Sequence, residues 1–289
     1  MPTPIDLLLS PTSLIVFGLY ATLIALEAIA PGRALPDVKA WPLRGLAAFA
    51  VFFLVSSYLP LIWDKFLARF QLFDLSSLGT IGGAVAGLLV YEFCGYWYHR
   101  AMHSNDRLFR SLHQMHHSSE RLDTFSAFYF SPLDMVGWTF VTSASLVLVV
   151  GLTAEAATVV VLTVNFLAIF QHTNIRTPRW LGYFIQRPES HSIHHGRGIH
   201  RYNYADLPVF DLLFGTFRNA PSYAPATGFY DGASGRVADM LLLRDVSSPE
   251  RPRQVASGGG AILSARPRDG GRSSQREIDT RVRPEPQRL

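Results

Sequence analysis

One cysteine, Cys94, stands in 289 residues. A lone thiol excludes an intramolecular disulfide framework and any cysteine-based zinc module. Charge is also scarce: Asp, Glu, Lys and Arg make up 17% of the chain, well under the roughly 25% of a soluble domain. What charge there is lies unevenly. Residues 246–289 hold nine arginines and five acids, which leaves residues 1–245 with 17 charges of each sign. The formal excess of +4 therefore belongs to the tail. A nucleic-acid partner read from overall charge is excluded.

Charge is missing altogether from five stretches: 7–26, 45–63, 75–91, 135–154 and 156–171. A helix needs roughly 20 residues to cross hydrocarbon, and five such helices exceed what one soluble core would bury. The pattern predicts an all-α fold: a polytopic membrane protein of about five transmembrane helices carrying a histidine-rich helical cap. Pro11 places the start of the first helix near its N1 position. No basic residue precedes that helix and no small-residue cleavage site follows, so it does not read as a signal peptide. Gly79, Gly83 and Gly87 recur every fourth residue along the third stretch, a spacing that suits close helix packing in a membrane better than nucleotide binding.

Orientation follows from parity. The third and fifth stretches run into His99 and His172, and the fourth begins at Asp134. Residues 99–133 and 173–245 then share one side with loop 31–44, and together they hold most of the arginines of the body. The positive-inside rule makes that side cytoplasmic. Residues 64–74 are the exception, since they carry Lys65 and Arg69; Phe66–Phe70 reads as an interfacial turn.

All ten histidines lie between residues 99 and 200. His99 and His103 are i and i+4, one above the other on a helix face. His113, His116 and His117 form H-x-x-H-H, and His191, His194 and His195 repeat it. His172 ends the fifth stretch, and His200 follows the last cluster. A single histidine here reads as an interfacial anchor, and for His200 that reading weighs as much as ligation. Eight clustered imidazoles do not read so, because pairs at helical spacing hold metal. Eight or nine ligands exceed the needs of one ion and suit two. Imidazole alone does not choose among iron, zinc, copper and nickel.

In order and spacing these motifs resemble the fatty acid hydroxylase superfamily, which includes the sterol desaturases. The family pattern is H-x-x-x-H, H-x-x-H-H, a histidine ending a later span, then H-x-x-H-H. The words after the last box agree too: Asn203-Tyr204, then Asp211 and Leu213-Phe214-Gly215-Thr216. The resemblance covers roughly residues 90–218. It implies a membrane-bound, non-haem di-iron oxygenase that uses O2 to hydroxylate or desaturate a lipid. It implies two iron ions held by His99, His103, His113, His116, His117, His172, His191, His194 and His195. Electrons are expected from a separate ferredoxin- or cytochrome-type donor with its reductase, since spans and boxes account for the sequence. Some relatives carry a second histidine four residues after the lone one, where this chain has Arg176. Acceptors for the ring N–H groups are needed, and Asp106, Glu120, Asp123, Glu189 and Asp211 are candidates by proximity.

The expected organisation is N-terminal membrane helices over 1–77, a histidine-box catalytic domain over 78–220, and a polar, disordered Arg/Pro/Gly-rich tail over 221–289. The expected location is an integral membrane one with the boxes on the cytoplasmic side. Two other classes stay open: a membrane metal-binding or transport protein, and a zinc-dependent membrane hydrolase. Transporters place ionisable ligands near the midplane, whereas these clusters lie at or beyond helix ends.

Overall fold

A computed structural model describes residues 1–249. Five helices within it are long and apolar enough to cross a membrane: Pro11–Ile29, Trp41–Phe70, Ser76–Ser104, Pro132–Val149 and Ala154–His172. The first, fourth and fifth begin with a side-chain cap. Ser10 caps the first, its hydroxyl accepting from Ser13 N, with Pro11 at N1. Ser131 caps the fourth by accepting from Asp134 N, again followed by proline. Thr153 caps the fifth through Ala156 N. Such caps satisfy N–H groups that have no partner inside the helix. Pro60 sits inside the second helix, as membrane helices allow.

The outward faces carry large apolar residues, among them Ile15, Leu54, Ile62, Ile81, Val85 and Val159. In a soluble protein that surface would be a liability; in a bilayer it is the lipid contact. This is an integral membrane protein.

Glycines bring the third helix close to the fifth. A Cβ on Gly87 would lie 2.5 Å from Leu152 Cδ1, and one on Gly83 would lie 3.1 Å from Ala156 Cβ. Gly79 is different: it meets open space and takes φ +64°, so it serves the turn into the helix rather than packing. The expected fourth stretch, 135–154, ends earlier than its composition indicates. Its last turns widen into a π-helix over Ala144–Val149. Val150 and Gly151 then leave the helix to pair in parallel with Phe73 and Asp74. Beside that pair, Phe66 and Phe70 are exposed with rings 5.1 Å apart, in the place read as an interfacial turn.

At the opposite end the termini of all five spans meet one cap. Glu27, near the end of the first span, accepts from Thr124 N and Asn174 N. Trp41, opening the second, donates its indole N–H to Asp123 at 2.8 Å. The ends of the third and fifth spans and the start of the fourth are joined there through histidines.

The folded part reaches further than expected. Residues 221–249, assigned above to a disordered segment, are folded against the cap. Met240 and Val246 are buried with Trp41 and Tyr129 in one cluster. Val246 N donates to Gln114 Oε1, Ser234 N to Glu120 Oε1, and Tyr129 OH to Ser234 O. A polar segment is ordered here because a few apolar side chains find prepared sockets and its backbone finds partners. The rest of the expected tail, 250–289, lies outside the described residues.

Candidate metal centre

Nine histidines converge in the cap in two groups. His99, His103, His113, His117 and His194 form one; His116, His172, His191 and His195 form the other. Within each group the candidate ligand nitrogens all lie within 4.8 Å of one another.

Local backbone explains how so many rings reach one place. His99 and His103 occupy the last two turns of the third span. His113 closes a π-helical turn, Phe109–His113, which leads into the helical turn Gln114–His117. The wider turn shifts the register of ring directions, a common use of π-turns at functional sites. Adjacent residues on a helix point about 100° apart. His116 therefore enters the four-membered group while His117 enters the five-membered one. The second box divides the same way: His194 joins the five, and His191 and His195 join the four. His172 is the last residue of the fifth span, and its Nδ1 bonds to Ala168 O at 2.6 Å.

Facing nitrogens approach more closely than neutral rings need. His113 Nε2 lies 3.0 Å from His99 Nε2, and His172 Nε2 lies 3.1 Å from both His116 Nε2 and His191 Nε2. His195 Nε2 lies 3.2 Å from His191 Nε2. Neighbouring imidazoles on one ion with metal–nitrogen bonds of about 2.0–2.1 Å stand at such separations. His103, His117 and His194 each hold a buried Nε2 without a partner, an arrangement that is costly unless something else satisfies it. Burial, then the neighbouring imidazoles, holds His116, His117, His191, His194 and His195 well below the ordinary histidine pKa. These rings are neutral, the form that binds metal. The donor set fits two ions, with no carboxylate in either group.

The partners on the far side of the rings are mostly backbone. His99 Nδ1 meets Tyr204 O and His194 Nδ1 meets Tyr202 O, each at 2.7 Å. Those carbonyls are aimed by a strained loop, with φ +74° at Tyr202 and +52° at Asn203. Asparagine tolerates that region and tyrosine does not. The loop is held because the Asn203 amide donates to Ser190 O and Arg218 O and its oxygen accepts from Arg218 N. Asp211 accepts from Tyr204 N, Ala205 N and the Thr216 hydroxyl. The Asn-Tyr and Asp words of the sequence are thus the clamp of this loop.

Among the acids of the described residues, Asp134 is the one that meets a ring of either group, its Oδ2 lying 2.7 Å from His113 Nδ1 with both groups buried. It was absent from the five candidates. Asp211 acts at one remove, through the loop. Glu120 and Asp123 hold the cap, Glu189 pairs with Arg187 at 3.0 Å, and Asp106 is exposed. The missed signal was available: an ionisable residue set into the first turn of a membrane span. His200 falls in neither group, though its Nδ1 is 3.0 Å from His117 Nδ1. Arg176 turns away and donates to Gly32 O.

A cavity of about 360 Å³ opens onto both groups, lined at this end by His99, His113, His116, His172 and His191. It continues between the spans past Phe49, Phe52, Phe128 and Val160.

Residues 84–216 match the family model of fatty acid hydroxylase. Human alkylglycerol monooxygenase is 33% identical over 203 residues, which cover 65% of this chain and 42% of that protein. The chain thus spans less than half the length of that relative. No solved structure gives a match.

Proposed function

We propose, starting from a histidine-box domain that belongs to the fatty acid hydroxylase superfamily, that this membrane protein is a lipid hydroxylase of the non-haem di-iron monooxygenase type. The observation that carries the proposal is the pair of all-imidazole groups facing one apolar cavity. His99, His103, His113, His117 and His194 would hold one iron, and His116, His172, His191 and His195 the other. When bound, the irons supply redox chemistry that activates dioxygen toward an unactivated C–H bond. One oxygen atom enters that bond, and the other leaves as water with two electrons and two protons from a separate ferredoxin- or cytochrome-type donor.

The chain's own part is placement. Asp134, Tyr204 O, Tyr202 O and Ala168 O take the ring N–H groups of His113, His99, His194 and His172 and so fix which nitrogen of those four imidazoles faces inward. Phe128 and Phe130 wall the histidine end against water. The apolar walls hold an alkyl chain with one carbon near the nitrogens, which is where positioning lowers the barrier. The ligand end of the bundle is read as cytoplasmic by its arginines.

Two measurements test this. Purified protein should contain two metal ions and, with iron, reductant and lipid, consume oxygen as hydroxylated lipid accumulates. One ion per chain, or lipid turnover without oxygen uptake, would defeat it; the second outcome is that of a zinc hydrolase. A reporter joined after Asn105 or after Gly215 should score cytoplasmic in both cases.

A further inference from the structure

A second cleft shares no lining residue with the histidine cavity. It holds about 670 Å³ and opens where the first span meets the cap. Ile24, Ala28 and Leu35 form its apolar side, and Arg33, Arg121 and Arg176 line it from separate stretches of chain. Its two carboxylates are already occupied. Glu27 accepts from Asn174 N through Oε1 and from Thr124 N through Oε2. Asp123 accepts from the Trp41 indole through Oδ1 and from Arg121 Nε through Oδ2. The arginines are not saturated. Among the described residues, neither Arg33 nor Arg176 pairs with a carboxylate: Arg33 donates to Ala224 O, and Arg176 donates to Gly32 O. The Nε of Arg33 is buried without a partner among those residues. A guanidinium carries more N–H donors than these bonds use.

The loop that carries Arg33 is held in place. Asn174 O accepts from Gly32 N, and the Asn174 side chain accepts from Arg33 N and donates to Arg33 O. The Arg33 guanidinium lies over the Tyr223 ring, 4.7 Å from its centre. A Cβ on Gly32 would lie 2.9 Å from Tyr223 Cε2 and 3.2 Å from Asn174 O, so the loop comes this close because glycine has none. Arg33 is therefore set before any ligand arrives, which lowers the cost of binding.

We propose that this cleft binds one phosphate-type anion, supplied as the head group of an anionic phospholipid or as free phosphate. Guanidinium forks match phosphate oxygens in pairs, and basic pockets beside span ends take anionic head groups. Ile24 and Ala28 belong to the first span, so the acyl chains of a bound lipid pass from the cleft straight into the bilayer. Asn174 stands two residues after His172. The occupant thus braces the loop that follows one histidine of the four-membered group.

Neither iron nor turnover is needed to test it. Full-length protein in neutral detergent is titrated with dioctanoyl phosphatidylglycerol, with dioctanoyl phosphatidylcholine and with inorganic phosphate. Native mass spectrometry counts the bound molecules, and thermal scanning reads stability. One phosphatidylglycerol per chain should be held about tenfold more tightly than phosphatidylcholine, whose cation offsets its phosphate. Melting temperature should rise as that site fills. Arg176→Gln, at an exposed position, should weaken the binding about tenfold, and Arg33→Gln should weaken it at least as much. Arg107→Gln removes the same charge at an exposed arginine outside the cleft and should leave binding unchanged. Should Arg33→Gln fail to fold, Arg176→Gln carries the comparison. Phosphate that stabilises the unaltered protein but not Arg176→Gln, with no lipid retained, would support the anion site and reject lipid as its source. Equal loss in Arg176→Gln and Arg107→Gln, or binding untouched by Arg176→Gln, would overturn the site. So would equal retention of the two lipids with no effect of phosphate.

Discussion

Asp134 is the residue on which the five-histidine group leans from outside. Its carboxylate fixes the His113 ring by taking the Nδ1–H at 2.7 Å, and Ser131 in turn holds its backbone N–H. Loss of such a partner typically costs 10–100-fold in metal affinity or activity. Asp134→Ala is expected to lower iron affinity by about that factor in a chelator competition. Asp134→Asn, which keeps an oxygen for the ring N–H, should lose less. His200→Ala should leave metal content near that of the unaltered protein, because His200 stands beside His117 rather than in either group. His194→Ala should lower metal content and abolish turnover. Metal per protein at matched expression separates these variants. A His200→Ala protein as depleted as His194→Ala would show that the nine-ligand assignment is wrong.

At the level of elements, the third span depends on its missing side chains. Gly87→Val would push a branched side chain against Leu152 and Val160, which already stand within 2.5 and 3.2 Å of a Cβ there. Overpacking of this kind costs about 1–3 kcal/mol, so the melting temperature in detergent should fall. Gly18→Ala, which meets open space, should not change it. What the sequence displayed and what it hid divide along the same lines. The i+4 pairs and the H-x-x-H-H boxes are local, so their geometry is written in their spacing. The spans are legible because lipid demands an unbroken apolar run. Asp134 was legible as an acid set into a span, but its partner was hidden because that ring lies 21 residues away. The carbonyls of Tyr202 and Tyr204 were hidden because backbone acceptors carry no residue signature. The packing of Met240 and Val246 was hidden because a composition dominated by polar residues says nothing of the sockets that receive the few apolar ones.

Across the whole molecule, the folded segment 221–249 ties the cap to the start of the second span through the cluster of Met240, Val246, Trp41 and Tyr129. Removing residues 250–289 should therefore leave melting temperature and metal content unchanged, since every histidine lies before them. Removing residues 221–289 should expose Trp41 and Tyr129 and leave Glu120 and Gln114 without the backbone groups they hold. The shorter protein is expected to melt at lower temperature and to bind less iron, by thermal scanning and metal analysis.

On the two-iron reading, His116 and His117, and again His194 and His195, are consecutive residues sent to different groups, so neither ion would be seated without ordering the backbone that serves the other. The first ion to enter would meet the ordering entropy for both, and the second would bind to a framework already set, which is positive cooperativity without any contact between the ions. Iron uptake by the apo-protein should accordingly be sigmoidal, with a Hill coefficient above one, and singly loaded protein should be scarce at half-saturation. Native mass spectrometry across a titration would count the species directly. A dominant one-ion species would mean that the two groups fill as independent sites.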